Sequence, residues 1–185
     1  NYMTYDFSDF KKEVGQIKEW LTKEFSGIRT GRATPTLLDN ITIDSFGSKS
    51  QIAHVAGITS EDARTLRVSP WDKEQIKAIE KAITVANLGV SVSTDDNGLR
   101  VSFPELTTDR RTMLMKVVGE KIEKAKVSMR SERERTWNDI QDKCKDGELS
   151  EDDKFKHKDE LQELVDDSKK ELEEMGDKKE KEIME

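Results

Sequence analysis

Ile28-Arg29-Thr30-Gly31-Arg32-Ala33-Thr34-Pro35 and Pro104-Glu105-Leu106-Thr107-Thr108-Asp109-Arg110-Arg111 are the two stretches where the character of this chain changes. Before the first, Phe7, Phe10, Val14, Ile17, Leu21, Phe25 and Ile28 recur at steps of three and four, which predicts one apolar seam on a helix running to about Arg29. Gly31 stands where a glycine with positive φ is expected to end that helix, and Pro35 keeps it from resuming. Between the two stretches the sequence is β-branched and punctuated by glycine; beyond the second the helical period returns. The pattern predicts an α+β chain in which an elongated three-helix bundle, residues 1–30 and 106–185, carries an inserted small β/α/β domain, residues 31–105. Two chain crossings between two bodies imply a hinge at Thr30, Gly31, Pro104, Glu105 and Leu106.

Within the insert, Ile41, Ile43 and Ser45 alternate with Thr42, Asp44 and Phe46 before Gly47-Ser48, which predicts a strand and a hairpin turn. Further strands are expected over His54 to Thr59 and Thr65 to Ser69. Asp72 with Gln75 three residues on has the spacing of a capping box, opening a helix that buries Ile76, Ile79, Ile83 and Ala86. Asn97-Gly98, between Val90-Ser91-Val92 and Leu99-Arg100-Val101, is the strongest local hairpin signal.

After Pro104, Leu114, Val118, Ile122, Ala125, Met129, Thr136, Ile140 and Cys144 hold one helical seam, which Gly147 ends. Ser150 is placed to cap a last helix, with Glu151, Asp152 and Asp153 in the first turn where the helix dipole favours negative charge. Leu161, Val165, Ser168, Leu172 and Met175 continue its seam.

Composition agrees with long solvated helices. Charged residues make up 38% of the chain and hydrophobic residues 33%, too polar for one round core. No apolar run approaches the roughly 20 residues that cross a bilayer, so no membrane association is expected. The chain opens Asn1-Tyr2-Met3, and a start at Met3 leaves no room for a presequence. Cys144 is the single cysteine, which excludes an internal disulfide and fits a reducing cytoplasm. The net charge of −7 argues against a nucleic-acid partner until its distribution is considered. Residues 150–185 hold fifteen acidic and eight basic side chains and account for all of it, whereas residues 110–135 hold nine basic and four acidic.

Catalytic and metal signatures are missing from the sequence. His54, placed in an expected strand, and His157, on the acidic helix, have no second ligand at metal spacing. Cys144 falls on the apolar seam and is expected to be a buried structural thiol. There is no glycine-rich phosphate loop and no nucleophile elbow, and neither a metal nor a cofactor is expected. What remains is a basic row: Lys126, Arg130 and Arg133 step by four and three along one helix face, and Trp137 extends the row by one turn. Arginines in such a row can make forked hydrogen bonds to phosphates. The plainer alternative pairs them with Glu120, Glu123, Glu132 and Glu134 as a solvated face, and has Trp137 packing at the seam edge. A coiled-coil adaptor or holdase chaperone, with no RNA partner, would carry long charged helices of this kind.

Ile28-Arg29-Thr30-Gly31-Arg32-Ala33, Ser60-Glu61-Asp62-Ala63-Arg64-Thr65-Leu66, Glu80-Lys81-Ala82-Ile83 followed by Asn87-Leu88-Gly89, Leu106-Thr107-Thr108-Asp109-Arg110-Arg111, Arg130-Ser131-Glu132-Arg133 and Leu149-Ser150-Glu151-Asp152-Asp153 stand in an order that resembles the ribosome recycling factor family across essentially the whole chain. The resemblance implies an L-shaped molecule of transfer-RNA-like dimensions with a flexible two-strand hinge and no catalytic residues. It implies a monomeric cytoplasmic factor that binds the post-termination ribosome on large-subunit rRNA and, with elongation factor G and GTP, separates the subunits. It also implies that Arg130, Arg133 and Lys126 bind rRNA, and that Arg29 and Arg32, beside the hinge, bind it too. Glu134 and Glu105 depart from the family pattern, at a commonly basic position and at a common second proline.

Overall fold

Each of the three predicted long seams lies on a helix in the computed structural model, which describes residues 4–185; Asn1-Tyr2-Met3, with the expected start at Met3, lie outside the described residues. The helices are α1 (Ser8–Ser26), α3 (Thr108–Lys145) and α4 (Glu151–Met184). Between α1 and α3 lie β1 (Thr42–Ser45), β2 (Ser48–Gln51), β3 (Ala56–Asp62), β4 (Thr65–Pro70), α2 (Ile76–Val85), β5 (Ser91–Thr94) and β6 (Leu99–Ser102). The protein is thus a long helical bundle with a small sheet domain.

The chain divides into two compact units. One holds the residues up to Phe25 and Met115–Glu180; the other holds Ser26–Leu114 and Lys181–Glu185. Those boundaries fall within or at the ends of helices, where the sequence pattern had placed them at 30/31 and 105/106. The first turns of α3 and the last five residues group with the sheet unit, so all five expected hinge residues lie inside it.

In the helical unit Phe10, Val14, Leu21 and Phe25 of α1, Val118, Ala125, Met129 and Ile140 of α3, and Leu161, Val165 and Leu172 of α4 are buried. Lys121 of α3 reaches Glu24 of α1 at 3.4 Å, and Lys126 of α3 reaches Glu173 of α4 at 3.1 Å. Lys18 of α1 pairs with Glu171 of α4. Burial of these seams holds the helices together, because most of the remaining helix surface is polar. At 38 residues α3 is about 57 Å long. Gly147 ends it with φ +81°, a left-handed conformation that costs glycine nothing, and Gly147 N donates to Cys144 O. Asp153 N then donates to Ser150 Oγ at 3.0 Å, the expected cap of α4.

The sheet unit holds an antiparallel four-stranded sheet in the order β3-β4-β6-β5 and a separate β1-β2 hairpin. Leu66, Val68, Leu99 and Val101 from the sheet pack with Ile76, Ile79 and Ile83 of α2 in one core. Several expectations are corrected. α1 stops at Ser26, not Arg29. His54 lies in a short 3-10 turn, with the strand beginning at Ala56. Asp72 does cap, accepting from Glu74 N at 3.0 Å, but Gln75 does not close a capping box. Its side chain donates instead to Ser45 Oγ at 2.7 Å, tying α2 to β1. Ala86 is exposed because the helix has already ended at Val85. In the β5–β6 turn neither Asn97 nor Gly98 has a positive φ; the Asp95 carboxylate accepts from both of their N–H groups and sets the turn.

Gly31 is corrected as well. Its φ is not positive. A β-carbon there would run into the backbone of Glu185, and Gly31 N donates to Glu182 O at 3.0 Å. Glycine is needed for close approach of two backbones, a constraint between residues far apart in sequence that no local pattern carries.

Candidate nucleic-acid interface

The spacing of four and three along α3 puts Lys126, Arg130 and Arg133 on one face, and that face borders α4. A cavity of about 120 Å³ is lined by Lys126, Arg130 and Arg133 together with Gln162, Val165, Asp166 and Lys169 of α4. A second, of about 280 Å³, is lined by Arg133, Trp137, Lys158, Leu161 and Gln162. Arg133 and Gln162 line both, so the two cavities adjoin along a groove between α3 and α4. The long acidic helix contributes Lys158 and Lys169 to this lining alongside Asp166, two basic groups that total charge had hidden.

The three basic residues of the row differ in what they touch. Lys126 is neutralised, with Glu173 at 3.1 Å and Glu123 at 3.8 Å, and its side chain is only 18% exposed. Arg130 is exposed and Arg133 half-buried, and among the described residues neither has a carboxylate within 4.0 Å. The glutamates nearest in sequence do not serve them, since Glu132 pairs with Arg135 at 3.1 Å. Two guanidinium groups therefore keep their full donor capacity. Trp137 lines the second cavity with Arg133, and Lys158 Nζ lies 5.3 Å from its ring centroid.

The other predicted residues form a separate set in the sheet unit. Arg29 donates to Pro104 O, and its guanidinium carbon sits 5.5 Å from the Phe103 ring centroid. Burial lowers its pKa, and Arg110, Arg111 and Arg64 lower it further by repulsion. Its Nε is buried and has no hydrogen-bond partner among the described residues. Thr30 is buried and donates to Arg32 O at 2.9 Å, while Arg32 itself is exposed. Leu106 is buried. Glu105, exposed, approaches Arg64 at 3.7 Å, a loose surface pair of little energetic weight. Backbone bonds from Ala33 N to Ala63 O and from Phe103 N to Arg64 O tie the two crossing segments to the same β3–β4 turn. Arg111 donates to Ile183 O.

A family profile described as Ribosome recycling factor matches residues 21–184. The chain belongs to the ribosome recycling factor family. The ribosome-recycling factor of Halothermothrix orenii is 38% identical over 156 residues, 84% of each chain. Among solved structures, a solution structure of the ribosome recycling factor superposes with TM-score 0.74 at 30% identity, covering 98% of this chain and 99% of that one. The Thermus thermophilus factor, described together with elongation factor G on a post-termination complex of Escherichia coli, superposes with TM-score 0.67 at 32% identity, covering 97% of each.

One residue of this recycling factor departs from expectation. Cys144 is half-exposed, not buried; its Sγ lies 3.5 Å from Glu151 Oε1, and desolvation followed by that contact raises the thiol pKa, which makes it a poor nucleophile. His157 is 2% exposed. Its place was legible in hindsight, four residues before Leu161 on the seam. Among the described residues no group of three or more potential ligands could hold a metal, and no helix is long and apolar enough to cross a membrane.

Proposed function

We propose that this recycling factor binds the post-termination ribosome through large-subunit rRNA phosphates, with Arg130 and Arg133 as the principal contacts, and that elongation factor G and GTP then drive separation of the subunits. The observation that carries the reading is that, among the described residues, no carboxylate lies within 4.0 Å of either arginine on a helix rich in glutamate. A solvated, self-neutralising face would have paired them, as it pairs Lys126 and Arg135. Likeness to a factor described with elongation factor G on a post-termination complex supports the partner. In this reading Lys126 positions the groove more than it binds. Arg32, exposed, is a second phosphate contact, while Thr30, Gly31, Pro104, Glu105 and Leu106 form a hinge. The factor acts as a monomer in the cytoplasm without a cofactor, and GTP hydrolysis belongs to its partner.

Sedimentation of the protein with ribosomes over a salt series tests this. Arg133→Ala is expected to bind more weakly and to lower the salt slope by about 0.7 to 0.9, the loss of one phosphate contact. Light scattering with elongation factor G and GTP reports splitting. An Arg133→Ala protein that binds and splits like the parent at every salt concentration overturns the assignment.

A further inference from the structure

A basic face that rests only on phosphates has no use for an aromatic ring, yet Trp137 lies in this groove beside Arg133. The ring is half-buried, and the exposed side chain of Lys158 lies over one face, with Nζ 5.3 Å from the ring centroid. We propose that the cavity of about 280 Å³ around Trp137 is a nucleotide subsite, where one unpaired RNA base stacks on the indole and its phosphate is held between Arg133 and Lys158. This rests on the rRNA-binding reading and adds a base contact to it.

The cavity lies just under the range of about 300–1,000 Å³ for drug-sized ligands, which suits one ring system. Leu161, 3% exposed, gives it an apolar floor. Lys158 is an exposed side chain that occupies the electron-rich face in the free protein. Base–aromatic stacking is stronger than an exposed cation–π contact, so a base displaces the ammonium, which then turns to the phosphate beside it. Among the described residues Arg133 has no carboxylate to release first. Gln162 donates from Nε2 to Asp166 at 2.9 Å, leaving its carbonyl oxygen as an acceptor. Glu134, which also lines the cavity, is another acceptor. Two acceptors favour a base with an exocyclic amino group over uracil. The unpaired condition follows because a duplex keeps both faces of each base stacked.

The stacking contribution does not depend on counterions, whereas phosphate contacts do, and the test uses that difference. Ribosome pelleting over a salt series is run with the parent, Trp137→Leu, Trp137→Phe and Lys158→Gln, each checked for its fold by circular dichroism. Trp137→Leu is expected to weaken binding about tenfold at every salt concentration with an unchanged slope, and Trp137→Phe to recover most of the loss. Lys158→Gln, an exposed change that leaves the fold alone, is expected to lower the slope by about 0.7 to 0.9. Dimethyl sulfate probing of the rRNA should show an unpaired adenine or cytosine protected by the parent and reactive with Trp137→Leu. Parent-like binding by Trp137→Leu, or equal losses for Leu and Phe with no change in probing, overturns the subsite. Arg133→Ala would still change the slope in that case, leaving the rRNA reading intact. A parent protein that does not sediment with ribosomes overturns both.

Discussion

The backbone N–H of Tyr5 donates to Nε2 of His157 at 3.3 Å, across 152 residues of sequence. That bond fixes the imidazole tautomer: Nε2 accepts, so Nδ1 carries the proton and donates to Glu160 at 3.1 Å. Tyr5 completes the attachment by donating its hydroxyl to Asp139 at 2.8 Å, and Phe7 stacks edge-on against both rings. The segment ahead of α1 is thereby fastened to α3 and α4. His157→Ala orphans the Tyr5 amide and vacates a buried site, and should cost about 2 to 3 kcal/mol. Urea unfolding measures it, and an unchanged midpoint would show that the segment is not docked.

Glycine gives a paired prediction. Gly15 lies inside α1 with nothing within 4 Å of a would-be β-carbon, so Gly15→Ala should stabilise by about 0.5 to 1 kcal/mol through helix propensity. Gly31→Ala meets the Glu185 backbone and should destabilise by about 1 to 3 kcal/mol, as overpacking does. Opposite shifts in melting temperature are expected. Shifts of the same sign would mean that the Gly31–Glu185 approach does not exist in solution.

Asp95 makes the acid limb of stability testable. Arg67 donates two hydrogen bonds to its carboxylate at 2.7 and 2.8 Å, and the N–H groups of Asn97 and Gly98 add two more. The Arg67 bonds first, and then the backbone donors, hold its pKa well below the ordinary 3.8. A depressed carboxylate contributes stability above its unfolded pKa and loses it as pH falls through that value toward the folded one. Between neutral pH and pH about 3 the parent should therefore lose more stability than Asp95→Asn. Equal losses in urea titrations would show that the pair is not formed.

Periodicity read the long helices well because each needs one apolar stripe to be buried, and Leu21, Leu172 and Ile140 are fully buried where the seams put them. Ends were harder. α1 stops at Ser26 although Ile28 continues its spacing, because Ile28 is buried in a non-helical segment. Gln75 has the spacing of a capping box, yet its amide goes to Ser45, a tertiary partner outranking a local one. Of the candidate site, the row on α3 was legible from spacing alone. Which arginines are unpaired was not, since that depends on Glu173 and the other α4 side chains across the groove. Lys158 was invisible for the same reason, as one lysine in an acidic helix becomes part of a basic groove only when the helices meet.

Arg29 and Arg133 were grouped by residue type, and their surroundings separate them. Arg29 has its guanidinium engaged, bonded to Pro104 O and set against Phe103, while Arg133 has no carboxylate partner among the described residues. Removing a charged hydrogen bond of the first kind costs about 1.5 to 3 kcal/mol, whereas a surface change of the second stays within about ±0.5 kcal/mol. Arg29→Ala should therefore lower the urea midpoint, and Arg133→Ala should leave it in place. On ribosomes the order reverses in kind. Arg133→Ala should flatten the salt dependence by about one phosphate contact. Arg29→Ala should weaken binding by a factor that is the same at every salt concentration, because it acts by positioning the segment that holds Pro104. Should Arg29→Ala flatten the salt slope while the urea midpoint stays put, Arg29 contacts phosphate directly. The repulsion it shares with Arg110, Arg111 and Arg64 would then be what RNA relieves on binding.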